Sequence, residues 1–295
     1  MKIGVVLPAA DVDWGGTTPT WADVKNFALA VEARGFDSVW MFDHFFNRAD
    51  DGSIEGMLES WTILSAVAAV TSRVLVGTLV MCTSFRSPGL LAKMASTLDE
   101  VSGGRLILGV GAGGHDPEYE AFGFPVDHRV DRFEETLQVL RPLLDGQTVT
   151  FDGRYHRARD AVLAPAPRQH IPVLVAGDGP RMLGLTARYA DAWNTAWFGA
   201  PDDALRSRLA AFDEALASER RDPAEVERTV GVTIRDQDSP VEAGEDEAFR
   251  GSVEEMAAML VEYEELGIDH LILEIGPRSE SALDRVAEAA GAATP

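Results

Sequence analysis

Three short stretches of this 295-residue chain hold residues that a folded scaffold does not need for itself. In the first, Asp43 and His44 directly follow the apolar run 38–42, so a carboxylate and an imidazole stand together at the end of a predicted strand. Imidazole titrates near neutrality, and His44 can therefore give or take a proton at physiological pH. A polar loop start, or a structural pair, is the plainer reading of the same two residues. The second stretch is Gly109-Val110-Gly111-Ala112-Gly113-Gly114-His115-Asp116. Glycines at this density let the backbone turn tightly and approach a flat ligand or a phosphate, although a tight turn alone would also use them. Gly109, Gly111 and Gly114 match the dinucleotide spacing only formally. The stretch lacks the Walker spacing, its helix is delayed, and no ribose-binding acid stands clearly about 20 residues on. In the third stretch, Val175-Ala176 runs into Gly177-Asp178-Gly179, with Pro180 at the first helical position and Arg181 behind it. Backbone N–H groups at such a helix start make an anion site, to which Arg181 could add a charge-assisted contact.

Other chemistries have less support. His115, His128, His156, His170 and His270 show no zinc-ligand spacing, which speaks against a metal site, and no GxSxG elbow marks a serine hydrolase. Cys82 has no evident base in the sequence and reads as a small buried hydrophobe. As the single cysteine it cannot form an intramolecular disulfide, and the N-terminal apolar run is too short for a signal peptide or a membrane span. A soluble cytoplasmic protein is expected. Trp14, Trp61, Trp193 and Trp197 belong to the core by type, though those at strand ends could wall a flat cofactor.

The elements that must position these residues alternate from end to end. Buried-strand runs are predicted at 3–7, 38–42, 74–81, 105–110, 173–176, 192–195, 228–234 and 270–275. Helical spacing follows each, around 21–34, 59–70, 90–101, 130–144, 180–190, 202–220, 252–266 and 280–290. Residues 146–170 interrupt the rhythm, and 149–156 read as a β-hairpin turning on Asp152-Gly153. Eight strand-helix units with no linker or composition break favour α/β architecture as one domain over 1–295. The expected fold is a (β/α)8 TIM barrel with a hairpin excursion near 146–170. Active sites of such barrels lie at the C-terminal strand ends, where all three stretches fall.

Composition limits the partners. Hydrophobic residues make up 46% and charged residues 25%, as in an ordinary globular protein. The 48 acids against 26 bases leave a net charge of −22, which argues against nucleic acid and against an anionic membrane surface. Only Lys2, Lys25 and Lys93 are lysine, a skew toward Arg more in keeping with a GC-rich genome than with phosphate recognition. The charge is uneven: residues 236–265 hold eleven acids against Arg250 alone, a surplus of ten out of the 22. Six of the eleven lie in 236–247, after the seventh strand on the expected active-site side. A solvated loop explains them, and so does a filter that repels anionic substrates.

Several strings together resemble the bacterial luciferase-like flavin and deazaflavin oxidoreductases. They are AVEARGFDSVWMFDH (30–44), AVAAVTSRVLVGTLV (66–80), SPGLLAKMASTLDEVSGGRL (87–106), LGVGAGG (108–114), YEAFG (119–123) and ARYADAWN (187–194). The similarity covers most of residues 1–200 and is strongest to the class that uses coenzyme F420. The resemblance implies a barrel whose mouth holds a flavin-like tricycle, with its phosphate tail on loops such as 176–181. It also implies a non-prolyl cis peptide at Leu79-Val80, forming a bulge against the cofactor ring. By the same resemblance Asp43, Cys82, Gly111, Ala112 and Gly113 line the cofactor with Leu79 and Val80. Gly177, Asp178, Gly179, Pro180 and Arg181 take its tail. His44 sits beside the reactive carbon, with Asp43 contacting the ring or fixing the imidazole. Some sugar-phosphate dehydrogenases of this kind carry a glutamate acid at the position of Gly114, and its absence counts against a sugar phosphate here.

The implied activity is hydride transfer between F420 and a small organic substrate. Two alternatives stay open: an FMNH2-dependent monooxygenase using oxygen and a separate reductase, and a barrel that only binds flavin. The resemblance further implies a homodimer through the helices of the second and third units. Substrate choice resides in loops near 9–20, 44–58, 114–129 and 195–201.

Overall fold

In the computed structural model, residues 1–11, 14–48, 52–237 and 247–293 are described. Strand β1 (Lys2–Val6) leads through helix α1 (Trp21–Ala33) to β2 (Ser38–Met41), which pairs parallel beside it. The second unit closes with α2 (Ser60–Val70). The third strand is broken into β5 (Leu75–Thr78) and β6 (Met81–Cys82), and α3 (Pro88–Ser102) follows. Between β2 and α2 a small antiparallel pair, β3 (Phe46–Arg48) and β4 (Ile54–Gly56), occupies a stretch expected to be loop. The barrel continues with β7 (Leu106–Gly111), a short α4 (Asp116–Phe122) and α5 (Arg129–Leu144). A hairpin of β8 (Val149–Asp152) and β9 (Arg157–Ala161) comes next, then β10 (Val173–Ala176) and α6 (Pro180–Tyr189). It ends with β11 (Ala192–Phe198), α7 (Asp203–Glu219), β12 (Glu227–Arg235), α8 (Val253–Glu265), β13 (His270–Gly276) and α9 (Glu280–Ala293).

The main sheet is closed: β7 pairs with β10, Leu108 opposite Val173, and β13 pairs with β1, His270 opposite Lys2. All of its pairings are parallel, so the chain folds as the expected eight-stranded (β/α)8 barrel. Local chemistry sets the helix starts. Thr20 and Asp23 form a capping box on α1, Ser252 and Glu255 another on α8, and Ser87 with Pro88 opens α3. Gly103, at φ 70°, ends α3 in the left-handed region where glycine costs least.

Two apolar layers result. The large one lies between sheet and helices, while Val6, Trp40, Leu79, Ile107, Leu174, Ala192 and Ile272 fill the barrel interior. Trp40, fully buried, is the largest of these, and a Cβ on Gly77 would come within 2.3 Å of its ring. Truncating Trp40 to Ala would cost about 3–5 kcal/mol by leaving a cavity at the barrel axis.

Three readings of the sequence need correction. The third strand is interrupted at Leu79-Val80, and the strand expected at 192–195 extends to Phe198. The hairpin exists, but Asp152-Gly153 is not its two-residue turn: Asp152 pairs with Arg157 across a loop of residues 153–156. Glu135 of α5 decides this, because its carboxylate accepts the backbone N–H groups of Arg154, Tyr155 and His156 at 2.7–2.8 Å. A tertiary contact therefore overrides the local Asp-Gly signal. No helix among the described residues is long and apolar enough to cross a membrane.

Candidate active site

The C-terminal strand ends surround a cavity of about 600 Å3. Asp43 and His44, two and three residues beyond the end of β2, both line it. Their side chains do different work. Asp43 is buried and saturated: Oδ1 accepts from Ser60 Oγ (2.9 Å) and Arg86 Nη2 (3.0 Å), and Oδ2 from the Cys82 N–H (2.9 Å) and Arg86 Nη1 (2.6 Å). A second carboxylate, Glu59, also holds Arg86, through Nη2 at 3.0 Å. Asp43 thus ties β2 to β6 and to the start of α3. It does not fix the imidazole, contrary to one reading of its place in the sequence.

Glu118, in the first turn of α4, orients His44. Its Oε2 lies 2.9 Å from His44 Nδ1, while Oε1 accepts the backbone N–H groups of Phe45 and Phe46. The Glu118 carboxyl is itself buried. Burial opposes charging His44, but the bond to Glu118, with the charges of Glu118 and Asp43, outweighs it and raises the imidazole pKa. On Glu118 burial likewise works against the charge. The bonds from His44 and from Phe45 and Phe46 overcome it, so this carboxyl stays below its ordinary range. An ionised Glu118 holds the proton on Nδ1, which leaves Nε2 as the nitrogen free for chemistry.

The opposite wall is built by the break in the third strand. The Leu79-Val80 peptide is cis, where the family resemblance placed it. Beside it runs β7, whose glycines make room: a Cβ on Gly111 would lie 2.7 Å from Val80 Cγ2, and one on Gly109 1.9 Å from the Thr78 carbonyl oxygen. Leu79, Val80, Gly111, Ala112 and Gly113 form a small-residue face of the cavity. Cys82 completes it, its Sγ 3.0 Å from Tyr119 Oη, and that hydroxyl donates to the Ala112 carbonyl at 3.0 Å. Burial pushes the Cys82 thiol up, so it is a neutral wall residue at physiological pH.

The third stretch divides. Gly177 and Asp178 line the cavity, whereas Gly179, Pro180 and Arg181 lie outside its lining. Gly179 is the N-cap of α6, and no side chain caps that helix. Arg181 points away to α5, where Asp131 and Glu134 take its guanidinium, and this corrects the expectation that it reaches the cavity. The arginine at this loop is instead Arg208 of α7. Its Nη1 bonds Asp178 Oδ2 (2.8 Å), Thr195 Oγ1 (2.7 Å) and the Ala196 carbonyl (3.0 Å), clamping the ends of β10 and β11 together.

Sequence reasoning missed Glu118, Arg86 and Arg208. Glu118 had a signal, an acid in the first turn of a helix just past the glycine stretch and directly before the YEAFG string. Arg86 and Arg208 had none, since the carboxylates they hold, Asp43 and Asp178, come from neighbouring units of the barrel.

A model of luciferase-like monooxygenases matches residues 1–246. The chain belongs to the luciferase-like monooxygenase family. Among its curated relatives, an F420-dependent glucose-6-phosphate dehydrogenase of Microbacterium testaceum is 30% identical over 72% of this chain and 63% of its own length. One from Kineococcus radiotolerans is 33% identical over 77% of this chain and 67% of its own. The chain thus spans about two thirds or less of these dehydrogenases. A pyrimidine monooxygenase of Cronobacter turicensis is 33% identical over 65% of the chain and 53% of its own length. Among solved structures, an F420-dependent secondary alcohol dehydrogenase with an F420-acetone adduct superposes with TM-score 0.81 at 23% identity. That superposition covers 100% of this family member and 99% of the dehydrogenase, and it supports the barrel fold.

Proposed function

We propose that this protein is an oxidoreductase that transfers a hydride between coenzyme F420 and a small organic substrate. The observation that carries the reading is His44, held at Nδ1 by Glu118, with Nε2 free beside the small-residue face at Leu79-Val80. The residues present suit a flat ring with an anionic tail. Leu79, Val80, Cys82, Gly111, Ala112 and Gly113 would take the ring. Asp178 and Gly179, at the uncapped start of α6, would offer backbone N–H groups to the phosphate, with Gly177 and Pro180 shaping the loop that presents them. When bound, F420 supplies a two-electron hydride carrier that activates oxygen poorly.

The chain's own residues would orient, exclude water and move one proton. His44 exchanges that proton at Nε2 with the substrate, and Glu118 keeps the ring in one tautomer and steadies its charged form. Asp43 and Arg86 hold the cavity wall rigid. The dehydrogenase relatives favour F420, while the pyrimidine monooxygenase relative keeps open FMNH2 chemistry with a separate flavin reductase. Leu90 and Val101 of α3 and Val70 of α2 are exposed apolar side chains, which supports a homodimer through these helices. A cytoplasmic, single-domain enzyme accords with the one buried cysteine and the continuous barrel.

Titrating the apoprotein with F420 and with FMN, followed by ring fluorescence, tests the cofactor. Tighter binding of F420 is expected, and binding of FMN alone would refute the proposal. His44→Ala should keep F420 affinity within a few-fold and lose about 10²–10⁴ in turnover.

A further inference from the structure

Continuous with the main cavity, and sharing His44, Leu79, Val80, Ala176, Asn194 and Ala196 with it, lies a second compartment of about 370 Å3. Its distinctive walls are Phe42 and Trp197, ring centroids 5.7 Å apart and nearly perpendicular at 86°. Two features of the backbone direct Trp197 here. In the ladder between β11 and β12, Thr195 faces Val230 and Phe198 faces Val232, so Ala196 and Trp197 together oppose Gly231 alone. Such a bulge re-aims a side chain, and bulges of this kind collect at barrel rims beside active sites. Gly231 also leaves the room: a Cβ there would sit 2.7 Å from Trp197 Cε3. Core packing does not demand the indole, which stays 36% exposed.

We infer that this compartment is the substrate subsite, and that it takes a neutral molecule with a flat apolar ring and one polar group directed at His44. The inference rests on the hydride-transfer reading above. Among the described residues the polar groups lining the compartment are His44, Asn194 and the indole N–H of Trp197, and the Asn194 amide already donates to Thr229 Oγ1 at 2.8 Å. Perpendicular aromatic walls present a face to one side of a ring and an edge to another, the geometry aromatic groups prefer. A volume of this size suits one or two rings. A phosphate monoester, a dianion, is disfavoured in this compartment by charge, whereas the tail of F420 would be met by backbone N–H groups at the start of α6, outside it. Among the described residues no Lys or Arg lines either cavity, and residues 12–13, 49–51 and 238–246 contain none in their sequence. A buried dianion would then lack a charged partner. Glucose 6-phosphate, named for the dehydrogenase relatives, therefore does not fit this compartment.

Calorimetric titration of the F420-loaded protein tests the subsite with four probes: acetophenone, acetone, benzoate and glucose 6-phosphate. Acetophenone should bind at least tenfold tighter than the other three. Trp197→Ala should weaken acetophenone at least tenfold and Trp197→Phe by less than about threefold, with F420 affinity unchanged in both. Gly231→Val, which fills the space beneath the indole, should act like Trp197→Ala. Equal binding of the four probes, tighter binding of either anion, or indifference to Trp197→Ala would overturn the assignment. Failure of the wild type to bind F420, with acetophenone still bound by the apoprotein through Trp197, would refute the hydride-transfer reading and leave the subsite standing.

Discussion

His44 and Glu118 lie 74 positions apart in sequence, yet the second decides what the first can do. Because Glu118 raises the His44 pKa, the pair stabilises the fold fully below the ordinary imidazole value, and that contribution fades as pH rises through the raised one. The lowered pKa of Glu118 works in the opposite sense: its contribution is present above the ordinary carboxylate value and is lost as pH falls through the lowered one. Both contributions coexist between those limits, in mildly acid to neutral solution. Glu118→Gln removes the charge but keeps a polar group of the same shape. The limb of the kcat/KM profile that reports His44 should then move to lower pH, with kcat down about tenfold or more and F420 affinity nearly unchanged. A profile that stays in place would mean that Glu118 serves only Phe45 and Phe46. His44 was legible from its type and its position after a strand, and so was Asp43. Their division of labour was not, because an aspartate adjacent in sequence is a natural partner until Arg86 and Glu118, from distant units, are brought to it by the barrel.

At the scale of elements, two interruptions of the sheet shape the site. One falls at Leu79-Val80 and the other at Ala196-Trp197, and each lies against a glycine of the neighbouring strand. Gly111→Ala should therefore push Val80 into the space assigned to the cofactor. The expected result is F420 binding weakened about tenfold or more, together with a stability loss of about 1–3 kcal/mol read from the denaturation midpoint. Wild-type affinity in this variant would show that the face at Val80 is not the cofactor's. The eight strands and helices were legible because burial imposes a period on each of them. The interruptions were not legible from periodicity, since 74–81 reads as one apolar run, and the first entered only through the family resemblance. The hairpin turn failed for a related reason: Glu135 offers three acceptor contacts that the local Asp-Gly signal cannot anticipate.

For the whole molecule the governing quantity is the charge of −22. The acidic stretch 236–247 falls mostly outside the described residues, which include only Asp236, Gln237 and Glu247 of it. Asp236 pairs with Arg285, and Phe249 bridges to Ile234, so both ends of the stretch are anchored where β12 reaches the barrel mouth. Negative charge brought to the mouth by these anchored ends has different consequences for different ligands. It slows the approach of an anion such as the tail of F420, and it is indifferent to a neutral ring that enters through the compartment at Trp197. Replacing Asp236, Asp238, Glu242, Glu245, Asp246 and Glu247 with their amides tests this by stopped-flow fluorescence. F420 should associate several-fold faster than with the wild type at about 10 mM ionic strength, where the screening length is about 30 Å. The two rates should converge at about 1 M, where it falls to about 3 Å. Binding of acetophenone should not change at either salt. Equal association rates at low ionic strength would reduce the acidic stretch to a solvated loop, and the preference for neutral substrates would then rest on the cavity walls alone.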